Sequence, residues 1–153
     1  MKIEQKMEEL GYRVPEAPKS LGAYVSAVRV CNFLFVGGKI PLIQGQLKYK
    51  GKVGKDLTVE EGYEAAKTCT LNLLSVIKTE LGDLDKVQRI IKITGYINSA
   101  SGFTEQSKVL NGASEFLLEV FGDKGRHARA AIGVSELSLD APVEVEMIVE
   151  VKD

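Results

Sequence analysis

The nine residues VEVEMIVEV, Val143–Val151, alternate strictly. Val143, Val145, Met147, Val149 and Val151 fall on one side of an extended chain, and Glu144, Glu146, Ile148 and Glu150 on the other. Successive side chains of a β-strand point to opposite faces, so this stretch is a strand with one apolar face and one mostly acidic face. Such a strand belongs to a sheet that is covered on one side. What covers it has to come from upstream.

Working outward, a loop carrying Asp140 and Pro142 leads back to GRHARAAIGVSEL, Gly125–Leu137. A second strand is expected here, over about Ala128 to Ser135, with Ala130, Ile132 and Val134 opposed to Arg129, Ala131 and Gly133. A third strand, RIIKITGYIN, covers Arg89 to Asn98 and is rich in β-branched residues. Two helices flank it. The first starts at Thr58, where TVEE is a capping box, runs along Ala66, Cys69, Leu73, Val76, Ile77 and Leu81, and stops at Gly82. The second opens at Thr104, carries Leu110, Ala113, Phe116, Leu117, Val120 and Phe121, and is closed by Gly122.

Towards the N-terminus, Tyr24 to Val30 and Phe33 to Leu42 read as a hairpin across Cys31 and Asn32, with Gly37 and Gly38 marking a bulge or a close backbone approach. The following IQGQLKYKGKVGKDL is expected to be a loop or an irregular edge strand. Residues 2–11 form a short amphipathic helix on Ile3, Met7 and Leu10, and an extended connector with Pro15, Pro18 and Gly22 follows. The fold class is α+β: a mixed sheet with two long helices on one face, because each helix has a single apolar stripe to bury.

At 153 residues one domain is expected, over 1–153, and 44% apolar with 27% charged residues is the composition of a soluble globular protein. The formal net charge of -1, with basic and acidic residues interspersed, argues against a nucleic-acid partner. Cys31 and Cys69 have no CxxC or histidine pair around them, so buried free thiols are expected and no metal. MKIEQKMEELGY lacks the apolar core of a signal peptide, and no run approaches about 20 apolar residues. A cytoplasmic location without membrane contact is the expectation.

If the two C-terminal strands share a sheet, the covered face takes Ile132 and Val145, while Arg129 and Glu144 point together to the other side. Ala131 and Gly133 leave space beside the arginine. Arginine clamps a carboxylate bidentately and a nearby glutamate holds or deprotonates a water, which are the parts needed to hydrolyse a small anion. The same pattern also fits a solvated strand face with a surface ion pair worth about 0 to 1 kcal/mol. His127 has no partner at catalytic spacing, and it reads with Arg126 as a turn residue at the rim. Gly51 and Gly54 lack the strand and helix that a nucleotide-binding loop requires.

APKSLGAYVSAVRVCNFLFVGGKIP, HARAAIGVSEL and VEVEMIVEV, in this order and separated by two helices and a strand, resemble the RidA/YjgF family of reactive intermediate deaminases. The likeness runs from about Ala17 to Val151. Leu137 follows Arg129, and Glu144 lies in a V/I-E-V/I-E pattern, at the family's spacing. The resemblance implies a chorismate-mutase-like fold in a homotrimer, with a central β-barrel, helices outside and sites between subunits. It also implies hydrolysis of enamines and imines to 2-keto acids and ammonia without a cofactor. Arg129 would bind the substrate carboxylate and Glu144 would position water. Tyr24, Gly38 and Asn111 would line the site, and the backbone N–H of Ala131 would donate to the carboxylate.

Three positions depart from the family pattern: Ala131 stands for a cysteine, Gly37 for a serine and Ser138 for a proline. Residues 2–11 are extra. The pattern is that of a divergent branch with a larger, less polar pocket. Two other readings remain: a noncatalytic trimer that binds 2-keto acids or other small carboxylates, and a translation inhibitor or endoribonuclease, which the charge balance and lack of an aromatic-basic platform oppose.

Overall fold

The computed structural model describes residues 2–19 and 22–153; Ser20 and Leu21 of the expected connector lie outside the described residues. In chain order the elements are α1 (Lys2–Glu9), β1 (Ala27–Val30), β2 (Phe33–Lys39), β3 (Leu42–Ile43), β4 (Gln46–Leu47), α2 (Val59–Leu81), β5 (Val87–Asn98), α3 (Gln106–Phe121), β6 (Ala128–Val134) and β7 (Val143–Val151). The main sheet has the order β1-β2-β7-β5-β6. Only the β5–β6 pair is parallel, so the sheet is mixed as its sequence implied. The segment expected to be irregular forms the two-residue strands β3 and β4.

The capping box at Thr58 is formed in both directions: the Glu61 N–H donates to Thr58 Oγ1 at 3.1 Å, and the Thr58 N–H donates to Glu61 Oε1 at 3.0 Å. Gly82, at φ 82, ends α2. α3 instead begins at Gln106 with Glu105 at its N-cap position and no side-chain cap, so Thr104 stays outside the helix. The β1–β2 hairpin turns at Cys31 and Asn32, and the ladder shifts between Val36 and Lys39, which places the bulge at the two glycines. Cys69 is buried in α2, but Cys31 sits in the turn and is exposed, contrary to the expectation of two buried thiols. A two-residue turn offers no side chains to bury it.

α2 and α3 cover one face of the sheet. Leu34, Val36, Ile90, Ile93, Ile97, Val143, Val145, Met147 and Val149 pack there against Ala66, Cys69, Leu73, Leu110, Phe116 and Leu117. α1 adds the buried Met7, and the following Tyr12 meets Phe116 edge to face at 4.9 Å. The uncovered face carries the exposed Val28, Val30, Phe33, Phe35 and Ile132 beside Glu144, Glu146 and Glu150. A groove of about 420 Å³ runs over it, between Val28, Phe35, Lys92, Thr94 and Glu146.

The two helices approach closely at Gly112, where an added Cβ would run into the backbone carbonyl of Tyr63 on α2. Gly112→Ala should therefore push α3 from α2 and destabilise the fold by about 1–3 kcal/mol, read as a fall in Tm. α3 carries the residues that decide the site.

The division of β6 differs from its pattern. Arg129, Ala131 and Gly133 register with Ile93, Gly95 and Ile97 of β5, which are on the covered side, whereas Ile132 registers with Tyr96 and is 42% exposed. The expectation that Ile132 faces the helices and Arg129 faces away is overturned. The reason is volume: α3 lies so close that a Cβ on Gly95 would clash with Leu110, and one on Gly133 with Gln106. Small residues occupy the covered side of this edge, and the bulky isoleucine is left on the open side.

Candidate active site

Arg129 is reached from α3. Its Nη1 donates to Ser114 Oγ at 3.0 Å and its Nη2 to the Ser107 carbonyl at 3.2 Å. Ser107, Asn111 and Ser114 stand at i, i+4 and i+7 and so share one face of the helix. Asn111 thus lies between the two groups that hold the guanidinium, and Ala131 is on the same side of β6. Arg129, Asn111 and Ala131 form one cluster at the sheet edge.

Glu144 belongs to a second cluster. It lies on the open face, opposite Tyr96 of β5, and Gly38 of β2 runs so close that a Cβ there would collide with the Glu144 carboxylate. Only glycine fits at 38 with the glutamate in this position. Burial raises the Glu144 carboxyl above its ordinary value, the charge of Glu146 adds to this, and Lys39 opposes it. Lys39 is itself shifted down, chiefly by burial and against the pull of Glu144, and its Nζ donates to Ser26 Oγ at 3.2 Å. Next to them the Tyr96 hydroxyl donates to Glu146 Oε1 at 2.6 Å; that bond, then burial, pushes the tyrosine up to about 12. A half-buried carboxylate with a raised pKa is suited to taking a proton from water near neutral pH.

The two clusters do not meet within one chain. β5 lies between β6 and β7, and three residues separate Arg129 from Ile132, the residue level with Tyr96 and Glu144. Ordinary strand spacing and rise then put Arg129 and Glu144 about 14 Å apart in the plane of the sheet, and on opposite faces of it. Their expected shared surface is not found. Tyr24 is 66% exposed, with its ring folded over Gly22 ahead of β1.

Sequence reading missed Lys39, Tyr96, Ser107 and Ser114. The polar row Ser107, Asn111, Ser114 was the available signal for two of them, since it interrupts no apolar position of the stripe. His127 is no free rim residue either: its Nε2 is 2.8 Å from Ser114 Oγ and its Nδ1 is 2.6 Å from the Gly125 carbonyl. Arg126 does stay at the surface, beside Asp123.

A family model described as "YjgF/chorismate_mutase-like, putative endoribonuclease" matches residues 4–151. The chain belongs to the YjgF/RutC/RidA family. Protein TCP17 of Trypanosoma cruzi is 41% identical over 153 residues, covering 99% of this chain and 96% of the relative. Among solved structures, the protein Atu1372 of Agrobacterium tumefaciens, whose function is given as unknown, has 40% identity and a TM-score of 0.93, with 99% of this chain and 93% of that one covered. RidA from the Antarctic bacterium Psychrobacter shares the fold at 22% identity and a TM-score of 0.63, over 89% of this chain and 94% of its own. The YjgF fold of a mixed sheet with helices is therefore common to this chain and both solved structures. No helix among the described residues is long and apolar enough to cross a membrane.

Proposed function

We propose that this YjgF-family protein is a hydrolytic deaminase of reactive enamines and imines, converting 2-imino acids to 2-keto acids and ammonia in a homotrimer whose sites form between subunits. The observation that carries this reading is the division of the site. An arginine suited to anchor a carboxylate and a glutamate suited to activate water stand on opposite faces of one sheet. A copy's open face must meet another copy's β6 edge for them to act together.

The open face supports such an assembly, because Val28, Val30, Phe33, Phe35 and Ile132 form an exposed apolar patch of the kind that marks a protein interface. Three such faces turned inward around an axis would build the β-barrel of the family. Its acid groups, Glu144, Glu146 and Glu150, suit neither RNA nor another polyanion.

In the proposed reaction Arg129 of one subunit holds the substrate carboxylate, and Glu144 of another accepts a proton as water adds to the imine carbon. Return of that proton to nitrogen gives the tetrahedral carbinolamine; its hydroxyl proton then passes to nitrogen as the C–N bond breaks and the C=O forms, so that ammonia leaves and the 2-keto acid remains. The imine carbon is already electrophilic, so orientation and charge anchoring supply most of what is needed, and no cofactor is called for. Gly38 admits the glutamate; Asn111 and the Ala131 N–H line the anion's side; Tyr24, on an exposed entry segment, closes a wall. Ala131 and Gly37 leave room for a larger substrate side chain.

The test is release of ammonia and keto acid from a panel of freshly generated 2-imino acids, with light scattering to give the mass of a trimer. Subunit mixing then examines the shared site. Arg129→Ala and Glu144→Gln proteins should each be inactive, yet unfolding and refolding them together in equal amounts should recover about a quarter of wild-type activity, because random assembly leaves that share of sites with both groups intact. No recovery would place both groups in one subunit and overturn the assembly.

A further inference from the structure

The Arg129 guanidinium has no carboxylate partner among the described residues; both of its acceptors are neutral, a serine hydroxyl and a helix carbonyl. Its positive charge is therefore not spent inside the protein, and of its five N–H donors enough remain for a bidentate clamp. A long, half-exposed side chain held only at its tip still has to be aimed. The Ser114 hydroxyl that receives Arg129 is 2.8 Å from His127 Nε2, and His127 Nδ1 is 2.6 Å from the carbonyl of Gly125.

The proton positions follow from the last partner. A carbonyl only accepts, so Nδ1 carries the hydrogen, and in the neutral imidazole Nε2 accepts. The serine O–H therefore donates to Nε2, and its lone pairs are turned to Arg129. Donation runs one way along the row, Arg129 to Ser114 to His127 to the Gly125 carbonyl, and hydrogen bonds aligned in this manner polarise one another. The end of the row is fixed: Gly125 is buried so tightly against α3 that a Cβ on it would meet the Leu117 carbonyl. β6, α3 and the turn between them are thus tied through one hydroxyl.

We infer that Ser114 and His127 are positioning residues that hold the Arg129 guanidinium in the orientation that receives the substrate carboxylate. The inference rests on the proposed role of Arg129, and binding separates the two. Without the row, arginine keeps its charge but samples other rotamers, so the anion binds more weakly while the water-activating side is untouched.

The experiment measures pyruvate binding by calorimetry and the steady-state hydrolysis of 2-aminoacrylate, for wild type and for Arg129→Ala, Ser114→Ala, Ser114→Thr and His127→Asn. Ser114→Ala should raise both the pyruvate Kd and KM about tenfold with kcat within about twofold of wild type, and Ser114→Thr, which restores the hydroxyl, should recover most of the loss. Alanine is the better helix former, so α3 itself should stand. His127→Asn keeps a donor for the Gly125 carbonyl and removes the acceptor for Ser114; it should give the same KM effect, by a route independent of position 114. Wild-type pyruvate binding in Ser114→Ala and His127→Asn, alongside lost binding in Arg129→Ala, overturns the relay and leaves the clamp. Unchanged binding in Arg129→Ala overturns the clamp and the relay with it. A loss in Ser114→Ala that the threonine does not recover shows a packing role only and overturns the relay.

Discussion

Arg129→Ala is expected to lower kcat/KM for a 2-imino acid by about 10²- to 10⁴-fold, and to abolish measurable keto-acid binding. The size follows from what a bidentate clamp contributes: two hydrogen bonds between charged groups, each worth about 1.5–3 kcal/mol, where about 1.4 kcal/mol is a factor of ten. The loss should be specific to the anion. An imine ester or amide lacking the carboxylate, already a poor substrate of wild type, should be hydrolysed equally by both proteins. Arg129→Lys should recover only part of the rate, since an ammonium keeps the charge but cannot reproduce the planar fork that spans Ser107, Ser114 and the substrate. The measurements are steady-state kinetics and calorimetric titration, with thermal unfolding to show that the fold survives. A clamp with no part in binding would leave Kd unchanged in the alanine protein.

The strands and helices were legible where periodicity and burial agree. β7 reads correctly because it lies in the middle of the sheet, paired on both sides, so its apolar residues had one covered face to go to. The capping box and Gly82 located α2 from local chemistry alone. β6 misled for a physical reason. It is an edge strand whose covered side is pressed against α3, and there small size outranks hydrophobicity: Ala131 and Gly133 go under the helix and Ile132 stays out. Two-residue alternation correctly separated Arg129 from Ile132 but could not say which set faced inward.

That one inversion changes the chemistry. With Arg129 on the covered side, its neighbours come from α3, and a sequence pattern gives no register between a helix and a strand. Ser114 and His127 are thirteen residues apart, on two elements, and only the packing of α3 on β6 makes them a row. Lys39 was hidden for another reason. The shift in the β2 ladder between Val36 and Lys39 breaks simple alternation, so its side chain could not be assigned to Glu144 by counting.

Glu144→Gln is the second large effect. The substitution keeps the shape and removes the proton acceptor, so kcat should fall about 10²- to 10⁴-fold, the usual contribution of a positioned general base, while pyruvate binding through Arg129 stays close to wild type. The pH dependence has a definite sign. Burial, then the charge of Glu146, raises the Glu144 carboxyl in the folded protein. Ionised glutamate is the active form, so wild-type kcat should rise with pH on a limb that lies above the ordinary carboxylate range, and the glutamine protein should lack that limb. Stability moves the opposite way. A carboxyl whose folded value exceeds its unfolded one favours the fold below the unfolded value and loses that contribution as pH climbs through the folded value. At neutral pH the ionised Glu144 therefore works against folding, and Glu144→Gln should unfold at a slightly higher temperature than wild type, with the gap closing in acid. Lower activity together with higher Tm separates a glutamate kept for chemistry from one that merely solvates a strand, whose removal would leave kcat where it was.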